Sequence, residues 1–285
     1  MTLDSDEVSQ ARQRARDAYP ALLKDYPEWK ILDTLVKSPD ALVPDALQQM
    51  LNLAPAELAS NKDKQLGDHP YHLFLSLIEI AKRTAPDDQG KLVEFVAQLQ
   101  KIALVNEATG QPLRNGVYLA WTQLPALGYT AADEWQSVDP LNPRTAPDEM
   151  RHYENLIALL AQLSDAADVD YNDHLVGEMD FSFWSMHAFK EAFEPQEGQP
   201  APTDAALRVA SLWIIYAADR LWANIKHARV FGKRGDNPGT IMTRKMWDSW
   251  HRGLLAARAT CNDEETIKLI SRAIGRAEEA SVEER

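Results

Sequence analysis

Apolar residues in this sequence recur at intervals of three and four, and a proline or glycine interrupts almost every such stretch. This spacing places apolar side chains on one face of an α-helix, and clear examples begin at Tyr71, Leu92 and Tyr153. Only 12 of the 285 residues are glycine, and runs that alternate apolar with polar residues between turn signals are lacking, so strands have little support. We therefore predict an all-α fold, an irregular multi-helix bundle or short α-α superhelix of about nine to eleven helices.

The spacing of prolines indicates how the chain is organised. With 285 residues it can form one large domain or two modest ones. Three prolines between residues 138 and 147 predict an extended connector. We expect a single all-helical domain over residues 1–285, with a subdivision at this connector into residues 1–137 and 148–285 as the alternative.

Composition argues against several classes of partner and compartment. The formal net charge of −13 disfavours nucleic acid, because affinity for a phosphate backbone comes from clustered lysine and arginine. The single cysteine, Cys261, cannot form an internal disulfide, and the acidic N-terminal segment does not look like a signal peptide, so we predict a cytoplasmic protein. The most apolar stretch, residues 209–218, predicts a buried helix, since a membrane span needs roughly 20 apolar residues.

Acidic clusters suggest metal sites, but their spacing does not fit. Residues 165–180 contain six carboxylates, yet a calcium loop starting at Asp168 would have Asp173 at its glycine position and Met179 in place of its bidentate glutamate. We therefore predict a solvated acidic turn. Asp165 and Asp168 also have the spacing of magnesium-binding carboxylates in helical terpene cyclases, but the facing motif has Ile270 where a glutamate is needed. We expect neither a metal nor another cofactor.

Two further groups of residues favour structural interpretations. His69 and His72 lie three residues apart at a helix start, and we interpret them as a surface pair beside Pro70, with Glu79 partly exposed. The basic run at residues 226–235 could bind an anion, but cations favour a helix C-terminus and Gly232 is a natural left-handed stop.

Polar residues embedded in aromatic helices form the strongest candidate site. His187 lies one helical turn from Trp184, and Tyr216 and Asp219 share a helical face with Trp213. If these faces converge, they form an apolar pocket that contains an acid, a phenol and an imidazole, which suits proton transfer to a hydrophobic small molecule. In the alternative interpretation, His187 and Tyr216 are core residues with satisfied hydrogen bonds and Asp219 pairs with a neighbouring arginine.

A set of aromatic landmarks resembles a known family. The segments WTQLPALG at residues 121–128 and ENLIALLAQL at residues 154–163, with Glu134 and Trp135 between them, are similar to the fungal family called domain of unknown function 3632. The resemblance extends over residues 121–255. It implies a soluble, helical protein of fungal origin, of a kind that can be encoded among secondary-metabolite genes.

These observations predict a cofactor-independent enzyme of the cyclase, isomerase or lyase type that binds a hydrophobic small molecule. Asp219 or His187 would donate a proton or a hydrogen bond, and Tyr216 would orient the ligand. The aromatic walls of the pocket would be Trp121, Phe181, Trp184 and Trp213.

Two non-catalytic alternatives stay open. A helical scaffold that binds a partner through an apolar groove would have the same composition, and so would a carrier that holds a hydrophobic metabolite. Whether Glu79, Asp180 or Glu191 lies nearer to a pocket than Asp219 also stays open, as does assembly into a homo-oligomer.

Overall fold

Helices dominate both compact units of the chain, as predicted. The computed structural model describes residues 18–54, 66–106, 110–172, 177–194, 202–232 and 238–282. The chain divides into Met1–Thr130 and Ala131–Arg285, and the proline-rich connector predicted at residues 138–147 lies inside the second unit. The all-α prediction is confirmed, and the β-structure among the described residues consists of two short hairpins and an isolated bridge between Val105 and Pro112.

The first unit contains four helices with described bounds. They are α1 (Pro27–Lys37), α2 (Val43–Leu51), α3 (His69–Ala81) and α4 (Gly90–Leu99). Helix α1 packs on α2, α3 and α4, and α2 also packs on α4. Proline occupies one of the first two positions of α1, α2 and α3, where its missing N–H group costs no hydrogen bond. The core side of α3 includes Leu73, Phe74, Leu77 and Ile78.

A lysine fixes the turn between α1 and α2 to helix α4. The Lys91 ammonium donates to the carbonyl oxygens of Ser38, Pro39 and Ala41 at 2.8, 3.1 and 2.9 Å. These carbonyls lie beyond the end of α1 and before α2, so no helical N–H group serves them. The three N–H groups of one side chain therefore complete the hydrogen bonding of this turn.

A small hairpin and an unusual loop follow in the first unit. Strands β1 (Arg114–Asn115) and β2 (Tyr118–Leu119) pair antiparallel across a turn at Gly116, whose φ is 61°. Beyond β2, three non-glycine residues adopt the left-handed backbone region: Trp121 at φ 63°, Leu124 at 39° and Ala126 at 81°. Such a conformation is sterically unfavourable for residues with a Cβ atom, so this loop stores backbone strain.

The second unit is a bundle around one long helix. Helix α5 (Leu127–Trp135) begins before the boundary between the units, and α6 (Pro147–Ala166), α7 (Ser185–Phe193), α8 (Asp204–Lys226), α9 (Arg244–Thr260) and α10 (Glu264–Val282) follow. Helix α8 packs on α6, α7, α9 and α10, and a second hairpin, β3 (Val230–Phe231) with β4 (Thr240–Ile241), connects it to α9.

Helix α8 is apolar on most of its circumference because neighbours cover it on several sides. The predicted buried stretch at residues 209–218 forms its middle, where every residue but Tyr216 is buried. The Thr203 hydroxyl caps its first turn by accepting from the Ala206 N–H group at 3.1 Å. The helix bends at Ala217, whose φ of −138° is not helical.

Candidate functional site

Two of the predicted catalytic residues lie where α8 meets α10. The Asp219 side chain is 62% exposed, and its carboxylate accepts from the Arg276 guanidinium at 2.9 Å. The Arg272 guanidinium lies 5.2 Å from the centre of the half-buried Tyr216 ring. Asp219 and Tyr216 therefore face cations of α10, whereas the prediction placed them in an apolar pocket. These contacts match the alternative interpretation given above, in which Asp219 pairs with a neighbouring arginine.

The third predicted catalytic residue, His187, lies in an aromatic cluster on α7. Its ring contacts Trp135 edge to face, with ring centres 5.4 Å apart. Trp135 stacks on Trp184 at 4.7 Å, and Trp184 contacts Phe181 at 4.9 Å. We call Trp135, Phe181, Trp184 and His187 the aromatic platform. Trp135 and Trp184 are half-buried and His187 is exposed, so part of the platform is open to solvent.

The remaining predicted binding residues, Trp121 and Trp213, are completely buried. Trp213 lies in the middle of α8 in the second unit, and Trp121 lies in the strained loop of the first unit. Neither indole N–H group has a hydrogen-bond partner within the described part of the chain. Their role as pocket walls stays a prediction.

Near the platform, the carboxyl groups of Glu191 and Asp139 and the phenol of Tyr153 lie close enough to interact electrostatically. Glu191 follows His187 by one turn of α7, and burial and repulsion from Asp139 raise the pKa of its carboxyl group. Burial raises the pKa of the Tyr153 phenol, and the charges of Glu191 and Asp139 raise it further. At neutral pH the phenol is therefore a hydrogen-bond donor, and the folded protein keeps the Glu191 proton to a higher pH than an ordinary glutamate does.

This arrangement combines an apolar surface with groups that can move protons. An aromatic platform favours the flat or greasy part of a small molecule. A carboxyl group whose pKa is shifted towards neutrality by burial and by a second carboxylate is a typical general acid or base. Sequence reasoning gave His187, Trp184 and Phe181, but it missed Trp135, Tyr153 and Asp139, which come from other parts of the chain.

A buried ion pair corrects the interpretation of one residue of the acidic turn, Asp180, and one of the basic run, Arg229, whereas Asp165, Asp168 and Asp170 are exposed as predicted. Asp180 and Arg229 pair with each other and are almost fully buried, with side chains 0% and 4% exposed. Asn224 joins them, since its amide oxygen accepts from Arg229 at 3.2 Å and its amide nitrogen donates to Ser182 at 2.9 Å. Asp180 is thus not solvated, and Arg229, which follows the end of α8 at Lys226, pairs with this buried carboxylate. Residues 173–176 and 233–237 lie outside the described residues.

The first unit contains a second buried polar group, which overturns the surface interpretation of His69. The His69 imidazole is 0% exposed, and its Nδ1 lies 2.5 Å from Oε1 of Glu28, which is 5% exposed. The His69 ring meets the Trp121 indole edge to face at 5.4 Å. Glu79 is also buried, with Lys82 and Arg83 as partners, because α3 turns this side towards the core of the unit.

Two surface clefts lie elsewhere on the described residues. One, of about 430 Å³, is lined partly by Lys37, Arg83 and Lys91, and the other, of about 400 Å³, by Arg244, Trp247 and Glu278. Both have charged walls, and neither includes a predicted site residue.

The described residues contain neither a cluster of metal ligands nor a helix that could span a membrane. No group of three or more histidine, cysteine, aspartate or glutamate side chains there is arranged to hold a metal ion. None of the described helices combines the length and the apolarity that crossing a membrane requires.

By its fold and these side chains, the protein is an all-helical protein with a half-open aromatic platform beside titratable groups. A family model described as protein of unknown function (DUF3632) matches residues 74–254, which is more than half of the chain. The chain belongs to this family. The match begins within α3, well before residue 121, where the resemblance in the sequence begins. No curated protein and no solved structure matches the chain.

Proposed function

We propose that this protein is a cofactor-independent enzyme of the cyclase, isomerase or lyase type, which transfers protons within a hydrophobic small molecule on the aromatic platform. The observation that supports the proposal most is the position of Glu191. It lies one helical turn from His187 of the platform, and burial and the Asp139 charge raise its pKa. A glutamate in such surroundings can take a proton from carbon and return it at a neighbouring position.

The proposal assigns a role to each group. The half-buried rings of Trp135 and Trp184 would hold the apolar body of the substrate. Glu191 would act as the base and then as the acid, so that the proton is conserved and no oxidant is needed. The Tyr153 phenol would donate a hydrogen bond to an oxygen that gains negative charge in the transition state.

The nature of the substrate follows from the same surroundings. The platform offers aromatic surface with the carboxyl groups of Glu191 and Asp139 nearby, so it suits a neutral, hydrophobic metabolite better than a phosphate ester. The family resemblance adds fungal secondary metabolism as the proposed source of such a compound. The candidate acids thereby narrow to Glu191, while Asp219 is the alternative that a variant can test.

The experiment is incubation of the purified full-length chain with a fungal metabolite extract, followed by mass spectrometry of retained and converted compounds. Glu191→Gln should retain the compound but reduce its conversion at least about 100-fold, the usual contribution of a general base. Glu194→Gln makes the same chemical change at the exposed end of α7 and is the matched control. Asp219→Asn should convert the compound at the wild-type rate.

The other outcomes distinguish the alternatives. A compound retained unchanged by the wild-type protein would make the protein a carrier, and a retained protein without a compound would make it a scaffold. Loss of conversion in Asp219→Asn with full conversion in Glu191→Gln would transfer the acid–base role to the face of α8 that contacts α10.

A further inference from the structure

Several polar atoms around His69 are buried without a hydrogen-bond partner in the described part of the chain. They are Nε2 of His69, Oε2 of Glu28 and Nε1 of Trp121. His69 contacts both of the other side chains, since it pairs with Glu28 at 2.5 Å and its ring meets the Trp121 indole at 5.4 Å. A buried polar atom normally has a partner, so three such atoms close together point to a partner that the described residues do not supply.

The Glu28–His69 contact determines which of these atoms donate and which accept. A carboxylate accepts, so this contact selects the tautomer with the proton on Nδ1 of His69, and in that neutral tautomer Nε2 is an acceptor. Oε2 of Glu28 is also an acceptor, whereas the indole Nε1–H group of Trp121 can only donate. The site therefore presents two acceptors and one donor.

Backbone strain is a second, independent sign of a ligand site. Trp121 has a φ of 63°, and Leu124 and Ala126 in the same loop are also left-handed. Non-glycine residues in this region are unfavourable, and they cluster at ligand-binding and active sites, where the surrounding structure holds them in place. Here the strained residue is the one that contributes the indole.

We infer that Glu28, His69 and Trp121 form a buried binding site in the first unit for a small, neutral molecule with a hydroxyl group. A hydroxyl group can donate to His69 or Glu28 and accept from the Trp121 indole at the same time. A carboxylate ligand would be repelled by Glu28, and an ammonium group could not accept the indole proton. The hydroxyl compound is the class that satisfies both kinds of group.

This site is separate from the proposed enzyme function. The aromatic platform belongs to the second unit, whereas Glu28, His69 and Trp121 belong to the first. Binding at His69 and conversion at Glu191 can each be measured while the other is ignored, so failure of one proposal does not decide the other.

The test is a titration of the full-length, ¹⁵N-labelled protein with three probes of equal carbon number: 1-propanol, propionate and propylammonium. The indole signal of Trp121, assigned with Trp121→Phe, and the ring nitrogens of His69 report on the site. We expect 1-propanol to shift both signals to saturation and the two ions to leave them unmoved. The Trp213 indole is equally buried and also has no hydrogen-bond partner among the residues that the structure describes, so its signal serves as the internal control and should not move.

A pair of histidine variants makes the test specific. His69→Phe keeps an aromatic ring against Trp121 but removes the acceptor, so the affinity for 1-propanol should fall at least about tenfold. His72→Phe, on the same helix and stacked on Tyr26 at 4.1 Å, should bind as the wild type does. If His69→Phe does not fold, comparison of the three probes with the wild-type protein decides the matter.

Three results would overturn the inference. One is the absence of a saturable shift with 1-propanol. Another is an equal shift of the Trp213 signal, which would indicate a general solvent effect. The third is a water cross-peak to the Trp121 indole that 1-propanol does not displace, which would mean that the site holds only a trapped water molecule.

Discussion

Replacing Gly253 by alanine should destabilise the second unit, although the same change usually strengthens a helix. Gly253 lies inside α9, and a Cβ atom there would be 2.6 Å from Cδ1 and 2.8 Å from Cγ of Phe193 on α7. Carbon atoms make favourable contacts at about 3.5–4.0 Å, so the ring or the helix would have to move. Removing a glycine from a helix gains about 0.5–1 kcal/mol, whereas overpacking costs about 1–3 kcal/mol. We expect a net loss of about 0.5–2 kcal/mol in the free energy of unfolding.

Gly275 provides the matched control. It lies inside α10, and a Cβ atom there would have no neighbour within 4 Å. Gly275→Ala should therefore stabilise by about 0.5–1 kcal/mol, the full gain in helix propensity. Urea unfolding followed by circular dichroism measures both variants, and the midpoints are compared at an unchanged slope.

The reasoning is refuted if Gly253→Ala unfolds at the same urea concentration as Gly275→Ala or at a higher one. In a Phe193→Ala background the obstacle is gone, so Gly253→Ala should become stabilising. A variant that stays destabilising there would show that another contact of α9, and not the Phe193 ring, determines the effect.

Two further predictions concern buried charges. Arg229→Met leaves the buried Asp180 carboxylate without its cation, so chemical denaturation should show that the free energy of unfolding falls by about 3–5 kcal/mol. Adding Asp180→Asn to this variant should recover part of the loss. Equal stability of Arg229→Met and wild type would contradict this prediction. Because the pKa of Glu191 is raised in the folded state, the folded protein holds this proton more tightly than the unfolded chain, and stability should fall as pH rises above the ordinary glutamate pKa. The melting temperature of Glu191→Gln should therefore rise relative to that of wild type as pH increases above the ordinary glutamate pKa, and a pH-independent difference would contradict the shift.

The fold class follows from local patterns, which is why the sequence predicts it. The apolar stretch at residues 209–218 requires cover on several sides, and α8 receives it from α6, α7, α9 and α10. Helix starts at Pro70 and Pro147 reflect the fixed φ of proline, which acts within one residue. The two hairpins are missed because a strand of two residues is too short to show alternation.

The candidate sites depend on contacts between distant segments, which no local period records. Glu28 and His69 are 41 residues apart on different helices, so the pattern around His69 resembles that of a surface histidine. Trp135 contacts His187 from another helix in the same way. Glu191 was within reach of sequence reasoning, since it follows His187 at the spacing that places two residues on one helical face.

Lys91, which holds the turn between α1 and α2, also limits which substitutions this sequence tolerates. An ammonium group has three donors that point in three directions, and here each of them meets a different carbonyl oxygen. A guanidinium group is planar and presents its donors in a fork, so arginine cannot reproduce this geometry despite its equal charge. Lys91→Arg is therefore not a conservative substitution. Acetylation of Lys91 would release the turn between α1 and α2.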